Sequence, residues 1–148
     1  MAAGAHIVAV CASQRKGTRK QPVGEGELRA EYGLVGDAHA GSGRQVSLLA
    51  QESIERMRAR APELGPGDFA ENLTIEGLEL HTLAVGTVLR VGSGIRLQIT
   101  QIGKRCHTEC EIARLVGTCV MPKEGVFARV LEGGMVRAGD PVQVERGR

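Results

Sequence analysis

The sequence has no tryptophan, one tyrosine and two phenylalanines among its 148 residues. So few aromatics argue against a platform on which successive bases of a single strand could stack. They also leave the core to be built from Val, Leu, Ile and Ala. No run approaches the ~20 apolar residues that a membrane-spanning helix needs. Met1–Val10 carries no basic segment ahead of a long apolar stretch, so no secretory signal is expected. Neither sign of charge dominates: the net charge of +2 is too small to argue for nucleic acid by itself. Four cysteines in a chain of this length do not make a disulfide framework. Without a signal they are expected to be reduced, in the cytoplasm, which leaves metal binding, sulfur chemistry or burial as their uses.

What is present is glycine, 21 residues of it, in a chain that is 42% hydrophobic and 24% charged. That composition predicts one folded domain over residues 1–148, with short strands joined by tight turns rather than a helical bundle. His6 to Ala12 reads as a first strand, with Cys11 as a small core residue. Glu27 to Glu31, Val46 to Leu49 and Leu73 to Ile75 read as further strands. Ile95, Leu97 and Ile99 alternate with Arg96, Gln98 and Thr100, the pattern of a strand with one buried face. The Gly92-Ser93-Gly94 turn ahead of it predicts a hairpin with Thr87–Val91. Gly125 to Leu131 and Pro141 to Val144 complete a mostly β chain, expected to form a barrel carrying two or three short helices. One helix is predicted over Glu52 to Ala61, with Glu52 and Arg56 paired and Pro62 ending it.

Three stretches carry candidate chemistry. The basic loop Arg15–Lys20, with Lys16 and Lys20, can hold a phosphate or other anion, or can be a solvated loop. In Gly36–Gln45, glycines follow the Asp37-x-His39 pair. Asp37 can orient a ring nitrogen of His39 or merely close a turn, and Arg44 is suited to a phosphate or carboxylate. Glu71 and Asn72 are adjacent, so that an extended backbone would turn one inward and the other outward. The third stretch is Gly103–Cys110. There Cys106 follows Lys104 and Arg105 and precedes a Thr108-x-x-Glu111 capping pattern. A thiol beside basic residues and a helix start is favoured as a thiolate. A structural pair formed by Cys106 and Cys110 is the alternative. A zinc module built on Cys106, His107, Cys110 and Cys119 is another, although ligation by adjacent Cys106 and His107 would be strained.

Taken together, Lys16-Gly17-x-x-Lys20, Gly33-Leu34-x-Gly36-Asp37-x-His39, Arg44–Leu49, Gly67-x-Phe69-Ala70-Glu71-Asn72-Leu73, Gly103-Lys104-x-Cys106 and Gly125–Val130 resemble the MOSC domain. This family is named after the C-terminal part of molybdenum cofactor sulfurases. The resemblance implies a strongly bent, barrel-like β fold and a role around the pterin-bound molybdenum cofactor (molybdopterin). It makes Cys106 the expected sulfur-carrying or metal-ligating thiol. Lys16, Lys20, Asp37, His39, Arg44, Asn72 and Lys104 become expected neighbours of the anionic cofactor, with Gln45 and Asn72 facing the pterin edge. Some relatives use the cofactor to reduce N-hydroxylated compounds, the alternative activity. The chain has no room for a pyridoxal-phosphate desulfurase domain, so sulfur or electrons are expected from a donor protein. No membrane partner and no specific nucleic acid are expected.

Overall fold

The computed structural model describes residues 4–16, 18–103 and 124–145. The helix expected after Thr108 and the proposed zinc ligands fall outside these residues. Among these residues eleven strands form two sheets. In chain order they are β1 (His6–Ala12), β2 (Gln21–Pro22), β3 (Glu25–Arg29), β4 (Gly33–Leu34), β5 (Val46–Ala50), β6 (Leu73–Glu76), β7 (Val88–Val91), β8 (Ile95–Ile102), β9 (Val126–Glu132), β10 (Gly134–Arg137) and β11 (Val142–Glu145). An eight-stranded sheet runs β11-β7-β8-β9-β5-β6-β1-β2, and a three-stranded sheet runs β10-β3-β4. All pairings are antiparallel except β5 with β6.

The large sheet does not close into a barrel by continuous strand pairing among the described residues. Instead, the start of β1 meets the approach to β11 through one bridge, His6 to Pro141. Backbone bonds from Ile7 N to Asp140 O and from Val142 N to Ala5 O flank that bridge. The described residues hold one α-helix, α1 (Gln51–Met57), and one 3-10 turn, Leu80–Thr82. The helix stops short of the expected Ala61. Pro62 has no N–H to offer the carbonyl of Arg58 and disfavours helical backbone at Ala61. The chain therefore tightens after Met57, with Arg60 N bonding Met57 O.

The alternating pattern of β8 buries Ile95, Leu97 and Ile99, as expected. They join Ile7, Val10, Val46, Leu48, Leu73, Val126 and Val130 in the main core. β5 is buried along its whole length because both of its faces are covered. Val46 and Leu48 point to the main core, whereas Leu49 packs with Ile54, Leu64, Phe69 and Phe127 in a second, smaller core. On this second side Glu124 accepts hydrogen bonds from Ser53 and Arg56, which ties the start of β9 to α1. Gly103 N donates to Gly125 O at 2.6 Å, so the chain leaves β8 and re-enters β9 at adjacent points.

Candidate functional site

Three loops meet at the end of β1. The stretch after Ala12 hydrogen-bonds the 36–45 loop, Ala38 N to Ser13 O at 2.8 Å, and Lys20 N reaches Gly67 O at 2.8 Å. That second approach requires glycine. Gly67 has a φ of 89°, and a Cβ there would run into the Lys20 carbonyl. Gly33 is constrained in the same way, since a Cβ would strike the Gln45 carbonyl.

Within this junction the Lys20 and Asp37 side chains are completely buried and form an ion pair, Nζ to Oδ1 at 2.8 Å. Lys20 Nζ also donates to Ser13 Oγ at 3.0 Å and lies 3.3 Å from His39 Nδ1. Asp37 Oδ1 accepts the Ser13 N–H at 3.0 Å, and Oδ2 accepts the His39 N–H at 3.0 Å. Burial by itself would raise the Asp37 carboxyl. The Lys20 ammonium and the backbone N–H groups of Ser13 and His39 outweigh burial and hold it well below the usual carboxylate range. Of the two readings of Asp37 in the sequence, closing a turn describes its bond to the His39 backbone N–H, while the ring Nδ1 stands 3.7 Å from Oδ2 and 3.3 Å from Lys20 Nζ. Ser13, which supplies both a donor and an acceptor, gives no signal in the sequence beyond its place after a strand.

The remaining candidates divide into those engaged internally and those open. Asn72 is fully buried: its Oδ1 accepts from Ser47 N at 3.0 Å and from Ser47 Oγ at 3.2 Å, and its Nδ2 donates to Cys11 O at 3.1 Å. It thereby stitches the starts of β5 and β6 to the end of β1. Gln45 Oε1 accepts from Val130 N at 2.9 Å. Arg44 lies over the Phe127 ring, 5.2 Å from guanidinium carbon to centroid, and has no ion-pair partner among the described residues. Phe127 is two residues beyond Gly125, so Arg44 stands near the point where the chain re-enters β9. Lys16 is exposed. Cys106 and Lys104 lie outside the described residues.

Glu71 departs from the expected in–out alternation with Asn72, because both are buried. Ala70 has a φ of 67°, and the turn it makes folds Glu71 back onto its own loop. There Oε2 accepts from Gly67 N at 2.9 Å and from Thr74 Oγ1 at 2.6 Å. Oε1 has no partner among the described residues. Burial pushes this carboxyl above its ordinary range, and the hydrogen bonds only partly oppose it. Cys11 is buried as expected, and its thiol is pushed up to about 12 by burial, reinforced by Glu71 and Asp68. Burial favours the protonated thiol there, the disposition of a packing residue rather than a nucleophile. Among the described residues no group of His, Cys, Asp and Glu is arranged to hold a metal ion. A surface hollow lined by Glu52, Leu78, Glu79 and Thr82 includes none of the candidate residues.

With this geometry in place, the family model for the MOSC domain matches residues 35–143. The chain belongs to the MOSC domain family. Solved structures agree on the fold. The YuaD protein from Bacillus subtilis is 17% identical with a TM-score of 0.79, the match covering 99% of this chain and 98% of that one. YiiM from Geobacillus stearothermophilus is 20% identical with a TM-score of 0.73, over 96% of this chain and 75% of its own. YiiM from Escherichia coli is 22% identical with a TM-score of 0.67, over 97% and 71%. Comparison with the curated proteins gives no match. No helix among the described residues is long and apolar enough to cross a membrane.

Proposed function

We propose that this MOSC domain binds the anionic, pterin-bound molybdenum cofactor beside its 36–45 loop, and that Cys106 carries sulfur for that cofactor or ligates its metal. The observation that carries this reading is the division of labour among the loop's polar groups. The buried Lys20–Asp37 pair consumes its own charges, whereas Arg44 retains a positive charge with no carboxylate partner among the described residues. Together with exposed Lys16, Arg44 offers donors suited to a phosphate, and an Arg fork suits a phosphate best. Asn72, Gln45 and Asp37 act here as framework: their hydrogen bonds fix the loop from which Arg44 and His39 project. Family membership supplies the class of cofactor. When bound, that cofactor would provide a metal centre that exchanges sulfur or oxygen ligands. This chain would provide charge neutralisation and a thiolate, with sulfur or electrons arriving from a donor protein.

Intact-mass measurement after gentle purification tests the reading, with wild type and Cys106→Ala compared after loading with cofactor or with polysulfide, a sulfane-sulfur donor whose transferred sulfur leaves a shorter polysulfide behind. A mass gain of a sulfur atom or of a pterin cofactor, absent from the variant, is the expected result. A wild-type protein that gains neither overturns it.

A further inference from the structure

We infer that Lys20 is a positioning residue that locks the His39 imidazole in the tautomer bearing its proton on Nε2, making His39 a fixed neutral hydrogen-bond donor at the site. The donors and acceptors around the ammonium fix this tautomer. A lysine ammonium has three N–H groups and no lone pair. Around Lys20 Nζ stand three acceptors: Asp37 Oδ1 at 2.8 Å, Ser13 Oγ at 3.0 Å and His39 Nδ1 at 3.3 Å. The ammonium can satisfy all three only if Nδ1 presents its lone pair. The competing arrangement places a proton on Nδ1 and directs it at Asp37 Oδ2. That gap is 3.7 Å, beyond hydrogen-bond length, and Oδ2 already accepts the His39 backbone N–H. A proton on Nδ1 would also sit against the ammonium. A neutral imidazole with its lone pair at Nδ1 carries its hydrogen on Nε2.

The rest of the environment points the same way. The His39 side chain is 25% exposed, whereas Lys20 and Asp37 are buried. Nε2 has no partner among the described residues and is not a buried atom, so it opens to solvent. His39 therefore turns one edge into the charged cluster and offers a single N–H outward. A ring held in this way can donate to an anionic or oxo oxygen. It cannot act as a base through Nδ1 unless Lys20 is displaced. The donor role toward a bound anion rests on the function proposed above; the tautomer does not.

Long-range proton–nitrogen correlation NMR on 15N-histidine-labelled protein tests this at about pH 8, where a free imidazole is neutral. The His39 signals are assigned by their loss in His39→Gln. Wild type is expected to show a pyridine-like Nδ1 and a pyrrole-like Nε2, without the averaging seen for a free ring. Lys20→Met removes the cap on Nδ1. Should Asp37 then prevent folding, Lys20→Met/Asp37→Asn removes both charges together. Either variant is expected to move both nitrogens toward averaged shifts. A wild-type Nδ1–H or doubly protonated ring overturns the assignment, and an unchanged pattern in the folded variant overturns the role of Lys20. A correct tautomer in a protein that gains no cofactor mass would sink only the cofactor reading.

Discussion

Asp37 and Glu71 are both carboxyls withdrawn from solvent, and Lys20 links them by pairing with Asp37 and hydrogen-bonding the Gly67 carbonyl of Glu71's loop, yet they are driven in opposite directions. The number of hydrogen bonds does not explain the difference well, since each accepts at least one backbone N–H and one side-chain donor. What differs is charge and distribution. Asp37 has an ammonium at 2.8 Å and both oxygens engaged. Glu71 has only neutral donors, all on Oε2, and Oε1 is left alone among the described residues. Neutral dipoles on one oxygen do not repay the desolvation of a charge, whereas a buried counter-charge with full hydrogen bonding does. The first arrangement keeps a charged assembly at the edge of the fold, where His39 meets solvent. The second serves packing, with Thr74 and the Gly67 turn built around it.

The contrast between the two carboxyls depends most on Lys20. Lys20→Met strands the Asp37 charge and is expected to cost about 3–5 kcal/mol in urea unfolding. Lys20→Met/Asp37→Asn should recover most of that loss, and a double variant no more stable than the single one would show that the pair is not the unit. Next in size, Glu71→Ala leaves Gly67 N and Thr74 Oγ1 without their acceptor, at about 1–3 kcal/mol for each buried group left unpaired. Glu71→Gln keeps an acceptor in place and should lose clearly less.

The pH dependence of stability separates the two carboxyls by sign. The Asp37 contribution is fully present above the ordinary aspartate range and is lost as pH falls below it, because the folded state holds the deprotonated form. The Glu71 contribution is fullest below the ordinary glutamate range and is lost as pH rises toward its raised value. Urea midpoints followed from acid to mildly alkaline pH should therefore show a shallower acid-side fall in Asp37→Asn. In Glu71→Gln they should show a shallower decline on the rising side. Matching profiles for the two variants would remove the distinction. The smallest effect concerns Cys11, whose thiol burial pushes up to about 12. Alkylation at about pH 8 followed by peptide mapping should leave Cys11 unlabelled in native protein and labelled once it is unfolded.

Much of the fold could be read from local pattern. Ile95, Leu97 and Ile99 announced β8, Gly92-Ser93-Gly94 announced the hairpin, and the motif residues announced the family. β10 was hidden because Gly133-Gly134 reads as a turn and the strand is only Gly134–Arg137. Its pairing with β3, from the other end of the chain, is what makes it a strand. The site was legible as a set of residue types but not as a set of roles. Lys20 looks like any lysine in a basic loop, and nothing near it in sequence reveals that Asp37 and His39 arrive to enclose it. Glu71 and Asn72 look like an alternating pair until the left-handed Ala70 turns the chain.

The hydrogen bond from Gly103 to Gly125 has a consequence for how this protein tolerates change. Among the described residues, that bond continues the β8–β9 pairing to the point where the two strands part. The entropy of closing a loop there rises only slowly with its length. A change of chain length between those two glycines need not break the backbone hydrogen bonds that hold β8 and β9 in register.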